Sequence, residues 1–201
     1  MRIALAVVLA GFALQAQAQS LEPAHVDARL HLQFPAKLAG LQYRKTMVYP
    51  KEELGYCAVY DSKNSLGQIC VYDFGYKNLP TGIGSKEFKH ALKIAEDGMT
   101  QLIATPPYRN GQLIGTGQPA IEGGGKKAQA EMRLFTSELA PPGQAPIQNA
   151  HLILMTTGLG KFLKLNYTAR NMESAAFAEE SKQVIQAFVE ANAEAMKTLL
   201  Q

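Results

Sequence analysis

Two cysteines, four histidines and eight tyrosines are the first residues in this chain to test for chemistry. Cys57 and Cys70 could be a metal pair, a nucleophile with a histidine, or a disulfide. No C-x-x-C frames them, and the pair reads as a disulfide wherever the compartment is oxidising. The alternative is two small buried hydrophobes with free thiols. His25, Asp27 and His31 are the nearest approach to a metal cluster, but no H-E-x-x-H accompanies them, so no metal site is read. His90 falls on the solvent side of a helix, and His151 opens a strand with no ligand partner at close spacing. No G-x-S-x-G occurs; Ser85, after Gly82-Ile83-Gly84, reads as a helix cap rather than a nucleophile. Residues 123–127, Gly-Gly-Gly-Lys-Lys, lack Walker spacing and lead into a strand, so they read as a solvated hairpin turn. Glu52, Glu53, Asp61 and Asp73 read as surface charge, and nothing implies a cofactor.

Tyrosine remains. It combines a large contact area with a polar tip, which suits interfaces. Tyr60, Tyr72, Tyr76 and Asn78, beside the Gly- and Pro-rich loop 78–84, are the candidate binding residues. The alternative places most tyrosines in a sheet core with their hydroxyls at its rim.

These side chains need elements to hold them. Residues 54–76 read as two β-branched and aromatic strands around a polar turn. If Lys63-Asn64 is a two-residue loop, paired positions place Cys57 opposite Cys70 in a non-hydrogen-bonded pair, close enough for a disulfide. A longer loop ending at Gly67 is the alternative, and a shift of one residue would forbid the bond. Residues 41–49 alternate as a strand, with Lys45 the exception on the apolar face. Phe88, Ala91, Leu92, Ala95, Met99 and Leu102 form one face of a helix, in which Gly98 could admit a neighbouring backbone. Residues 112–121 read as an edge strand, residues 128–135 as a second strand, and residues 151–157 and 161–169 as a hairpin. A last helix starts near Asn171 or Ser174, with Phe177, Val184, Phe188, Ala195 and Leu199 as its stripe. A short helix is expected after Pro23.

The order predicts an α+β fold: an antiparallel sheet of about six to seven strands covered by two main helices, β-ββ-α-ββββ-α. The 201 residues, 47% apolar, support one domain over residues 34–201 after an N-terminal segment, 19–33. Residues 1–18 read as a signal peptide: Arg2, an apolar run too short to span a bilayer, and Ala16-Gln17-Ala18 for cleavage after Ala18. An uncleaved amphipathic N-terminus is the alternative. No cysteine follows the run, so no lipid anchor is read, and no later run is long enough to be transmembrane. A net charge of +3 without a basic stripe argues against nucleic acid.

That element order, with Leu54-Gly55-Tyr56 opening the first hairpin, resembles the PsbP-like and DcrB-like group of exported α/β sandwiches. The resemblance implies a non-enzymatic module, at the level of fold. The expected function is a periplasmic or secreted, cofactor-free accessory or binding protein, with an envelope protein or small ligand as partner. A small periplasmic hydrolase is the alternative, favoured if His25, His31 or His151 converge with carboxylates in a deep pocket.

Overall fold

A computed structural model describes residues 23–199; the expected leader over residues 1–18 and its cleavage after Ala18 lie outside them. Pro23–Asp27 (β1) and Leu32–Pro35 (β2) form a hairpin, not the helix expected after Pro23. The Asp27 carboxylate turns the chain by accepting from the Arg29 and Leu30 amides at 2.9 and 3.0 Å. Leu32 and Phe34 then alternate into the core, where a helix would have separated them.

The strands that follow are Lys37–Leu38 (β3), Leu41–Val48 (β4), Tyr56–Asp61 (β5), Ser65–Tyr72 (β6), Tyr108–Gly117 (β7), Ala120–Gly123 (β8), Lys126–Gln129 (β9), Glu131–Leu139 (β10), Ile147–Gly158 (β11) and Lys161–Arg170 (β12). Eight of them make one antiparallel sheet in the order β3-β4-β5-β6-β12-β11-β10-β7. The fold is therefore α+β with a large antiparallel sheet, wider than the six to seven strands expected. The extra strand is the short β3, and the β1–β2 and β8–β9 hairpins form two small sheets of their own. Residues 112–121 and 128–135 are not single strands. The chain leaves the sheet after Gly117, makes the β8–β9 hairpin, and returns at Ala130, whose amide donates to the Pro119 carbonyl at 3.0 Å. β7 lies at the sheet edge, as Pro119 suggested.

The first hairpin has the two-residue turn. Tyr56 faces Val71, Ala58 faces Ile69, and Ser62 donates its amide to the Ser65 carbonyl. Cys57 and Cys70 face each other with Cα atoms 4.0 Å apart and are joined by a disulfide. The anomaly at Lys45 has a cause. Register slips between Tyr43 and Lys45, so Arg44 is a bulge that exchanges the faces of β4. Tyr43 therefore faces Tyr60 on one side of the sheet, and Met47 faces Cys57 on the other.

Helix α1, Lys86–Ala104, covers one face. Ser85 caps it, its Oγ accepting from the Phe88 amide at 3.0 Å. Phe88, Ala91, Leu92 and Met99 face the sheet as expected, but Ile103 is buried and Leu102 is exposed. The reason lies in β7. A Cβ on Gly111 would sit 2.5 Å from Ile103 Cγ1, so the missing side chain lets the end of α1 settle on the strand. Gly98 does not admit a neighbour: nothing lies within 4 Å of where its Cβ would be. Gly98→Ala is expected to raise stability by about 1 kcal/mol, read as a higher urea midpoint with an unchanged slope.

The other face carries α2, Ser174–Ala191, and α3, Ala193–Leu199, with both small hairpins. The expected single helix breaks at Asn192. This buried side chain accepts from the Gln33 amide at 2.6 Å and donates to the Gln33 and Phe188 carbonyls, each at 2.8 Å. It bonds β2 as a neighbouring strand would, and it closes the end of α2. Asn192→Ala strands these groups and should cost about 2 kcal/mol in urea unfolding, whereas a surface exchange such as Gln186→Ala should cost little. Among the described residues, no helix is long and apolar enough to cross a membrane.

Candidate functional site

A cleft of about 810 Å³ lies on the α2 face. Its floor is the sheet. Strand alternation turns Met132, Leu134 and Thr136 of β10 and Ala150, Leu152 and Leu154 of β11 into it. One wall is α2, through Phe177, Ser181, Ile185 and Val189. The opposite wall is the β8 hairpin, with Ile121 at its centre. The space exists because small side chains stand where α2 nears the sheet: Ser174, Ala178 and Ser181 on the helix, and Ala150 below. The residue-long gaps they leave keep the helix from closing on β10 and β11.

The triple-glycine turn helps to frame this space. It is a hairpin turn, as expected, yet it is not simply solvated. A Cβ on Gly123 would strike the Val189 side chain, and one on Gly124, at φ 58°, would strike the Ala193 carbonyl. Glycine at these places lets the hairpin press against the α2–α3 junction and holds the β8 wall upright. Lys127 pairs with Glu122 at 2.7 Å across the hairpin.

The charged groups sit at the rim, and Ser181, buried in the α2 wall, donates to the Ala178 carbonyl at 3.0 Å. Lys182, Gln186 and Glu190 are exposed along α2; Gln186 donates to Glu190 at 2.8 Å. Gln148 reaches Glu138 at 3.0 Å, and Arg109 and Asn110 bond the other oxygen of that carboxylate, holding Glu138 below the usual carboxylate range. Such a site is suited to exclude water from an apolar ligand; among its lining residues there is no histidine or cysteine to attack one.

The tyrosine group lies elsewhere and is divided. Tyr60 is fully buried, edge-on to Tyr43, and its hydroxyl has no partner. Tyr72 is buried against Phe74 and Phe162 beneath the start of α1, its hydroxyl 3.8 Å from Met155 Sδ. Lys164 stands 5.5 Å over the Tyr72 ring, and burial lowers its pKa. Tyr76 is half-buried, 3.2 Å from His90 Nδ1, and Asn78 is exposed in the loop. Cys57 and Cys70 lie near this aromatic cluster, with Tyr49 Oη 3.8 Å from Cys57 Sγ.

The histidines do not converge. His25 packs on Phe34 and Tyr56, while Asp27 accepts from the Tyr56 hydroxyl at 2.8 Å. His31 is exposed at a left-handed turn position. Among the described residues, no three His, Cys, Asp or Glu side chains gather as metal ligands. Two of the carboxylates noted in the sequence are tied down: Asp61 to Arg44 at 2.5 Å, and Asp73 to Lys161, which with the Gly75 amide lowers its pKa against burial.

His151 has a pairing that its sequence neighbours do not reveal. Its Nε2 lies 2.9 Å from Ser137 Oγ, and its Nδ1 lies 2.9 Å from Thr168 Oγ1. Thr168 on β12 stands directly opposite His151 on β11, and Ser137 on β10 reaches it diagonally, two residues along from its register partner Phe135. A serine on a histidine is the start of a nucleophilic machine, but His151 and Ser137 are each 1% exposed, and a hydroxyl replaces the orienting carboxylate. The pair holds strands together where no substrate can reach it.

The sequence did carry one sign of the cleft that pattern reading passed over. The apolar stripe of α2 runs from Phe177 to Val184 with Ser181 between them on the buried side. A small polar residue inside a stripe marks missing volume. No family model matches this chain, and no curated protein matches it.

Proposed function

We propose that this chain is an exported, cofactor-free binding protein whose ligand is a small, largely apolar molecule held between α2 and the sheet. The observation that carries this reading is the cleft. Its volume falls in the range of small-molecule sites, its walls are mostly apolar, and its charged groups stand at the rim. The fold-level resemblance to the PsbP-like and DcrB-like group supports a non-enzymatic role. The disulfide supports an oxidising compartment, hence periplasm or exterior. The one serine–histidine pair described above, Ser137–His151, is sealed from solvent, and the binding reading does not need it.

The test is titration of the folded chain with the apolar dye N-phenyl-1-naphthylamine. One dye should bind per chain with enhanced emission. Ala178→Trp, at the exposed rim, should fill the mouth and abolish the enhancement while circular dichroism stays unchanged. The parent has no tryptophan, so the new indole also reports its own burial. Full enhancement in the variant would refute the site. Export is tested separately by the mass of the secreted form, expected to begin at Gln19; a mass retaining residues 1–18 would refute it.

A further inference from the structure

Lys164 sits in the row of the sheet that carries the disulfide. Strand pairing sets Met155 on one side of it and Cys70 on the other, with Cys57 beyond, and all three neighbours are buried. The Tyr72 ring lies 5.5 Å from the Lys164 Nζ, and the Tyr72 hydroxyl is directed to Met155 Sδ, not to the amine. From α1, Phe88, Ala91 and Leu92 close the same cluster, and none of them titrates. The titratable groups there are the phenols of Tyr72 and Tyr76, the second bonded to His90. The carboxylate of the row, Glu131 beyond Met155, is held by Arg133 at 2.8 Å. Among the described residues no carboxylate pairs with Lys164.

Two effects oppose each other at this amine. The ring face favours an ammonium, but at 5.5 Å it is a weak partner, whereas loss of water against the sheet disfavours charge. Burial prevails: it alone shifts the group, and it lowers the pKa. Lys164 is still within reach of solvent. Its side chain is half-buried rather than sealed, and Asn166 and Gln68, the next register pair on the same face, are half-buried and uncharged. Ser137 and His151, each 1% exposed, have no such opening. A lysine whose charge is disfavoured, accessible on one side and walled by apolar groups on the others, is suited to act as a nucleophile on carbonyl carbon.

We propose that Lys164 is a covalent capture site for small apolar aldehydes, held beside Tyr72 and Met155. The neutral amine adds to the carbonyl carbon, forming the C–N bond, while a proton passes from nitrogen to oxygen to give a carbinolamine. Loss of that oxygen as water leaves an imine; nothing is oxidised, and water reverses the step. The class of aldehyde follows from the surroundings. No charged group acts on Lys164, so none stands by to hold a carboxylate or phosphate carried by the aldehyde, whereas a phenol ring and a thioether offer contact to an alkyl chain. The site lies on the α1 face, opposite the cleft, and is independent of the ligand read there.

The test is reductive trapping of the folded, disulfide-bonded chain with hexanal and cyanoborohydride at pH 7, followed over time by peptide mass mapping. Lys164 should gain one hexyl group roughly fivefold faster than the exposed Lys63 and Lys89. In urea, with the disulfide intact, the three rates should become equal, because the surroundings that set Lys164 apart are gone. Glyoxylate, an aldehyde that carries a carboxylate, should show no preference for Lys164. Lys164→Met keeps a straight stem of similar length, so the variant should retain its circular dichroism and lose the fast phase of labelling. Lys164 labelled no faster than Lys63 in the folded chain, or an advantage that persists in urea, would overturn the proposal. An equal advantage with glyoxylate would overturn the choice of apolar aldehydes.

Discussion

Gly55→Ala is expected to remove about 3–5 kcal/mol of stability, a large share of the roughly 5–15 kcal/mol a domain possesses. Gly55 joins the 3-10 turn Glu52–Leu54 to β5 at φ 60° and ψ −133°, a region that only glycine occupies readily. A Cβ there would fall inside the van der Waals radius of the Val71 carbonyl oxygen, which belongs to sheet backbone and cannot swing away as a side-chain tip can. Relief requires parting β5 from β6 one residue from the disulfide pair. The Gly55 carbonyl also accepts from the Tyr49 amide at 3.0 Å, so the displacement in the variant would pull on the connection between β4 and β5 as well. Urea unfolding of the oxidised protein reads the effect directly. Gly98→Ala is the control: the same exchange, with open space around it, should act in the opposite direction. A Gly55→Ala midpoint close to that of the parent would show that the backbone relaxes without cost.

Acidification to pH 4.5 should cost about 2.5 kcal/mol through His151 alone. Burial lowers its pKa to about 4, because the charged ring would lose water on every side and no carboxylate is near to replace it. Ser137 and Thr168 are hydroxyls, able to accept or donate, so the neutral ring is satisfied in either tautomer. Tyr108 meets the ring edge-on from β7 and brings no charge. The unfolded chain, with an ordinary imidazole near 6.5, binds the proton more readily than the folded one. Its contribution is therefore complete above pH 6.5, falls as pH drops towards 4, and is exhausted below that. The tied carboxylates Asp27 and Asp73 act later, since their folded pKa values lie below 3.8. Unfolding measured from pH 7 to 4.5 should show this slope, and His151→Gln should flatten it. A slope retained in the variant would assign the acid sensitivity elsewhere.

How far the fold could be read from the chain depended on whether the deciding force was local. The hairpin register followed from counting around Lys63-Asn64, and with it the disulfide. Ser85 and the α1 stripe followed from capping and period. The errors occurred where a distant partner decides. The helix expected after Pro23 became β1 because Asn192, far along the chain, supplies the bonds that hold Gln33 extended. Residues 41–49 looked like one uninterrupted alternation because a bulge at Arg44 leaves no mark except a misplaced lysine. Ile103 displaced Leu102 because of a glycine on another element. The cleft was invisible because a cavity is a property of what is absent between elements, and only Ser181 within an apolar stripe hinted at it.

The bond between Asn192 and Gln33 bears on the order in which the molecule can be made. Gln33 is among the first of the described residues to be synthesised and Asn192 among the last. β6, made early, also finds its second neighbour only in β12. An emerging chain can zip β5 to β6 and wind α1, but the middle of the sheet stays open until residues past 160 arrive, and the β1–β2 hairpin lacks its bond to the last helices until Asn192 does. Until then the nascent polypeptide has no closed core, and completion of the last helix acts as the latch that closes it.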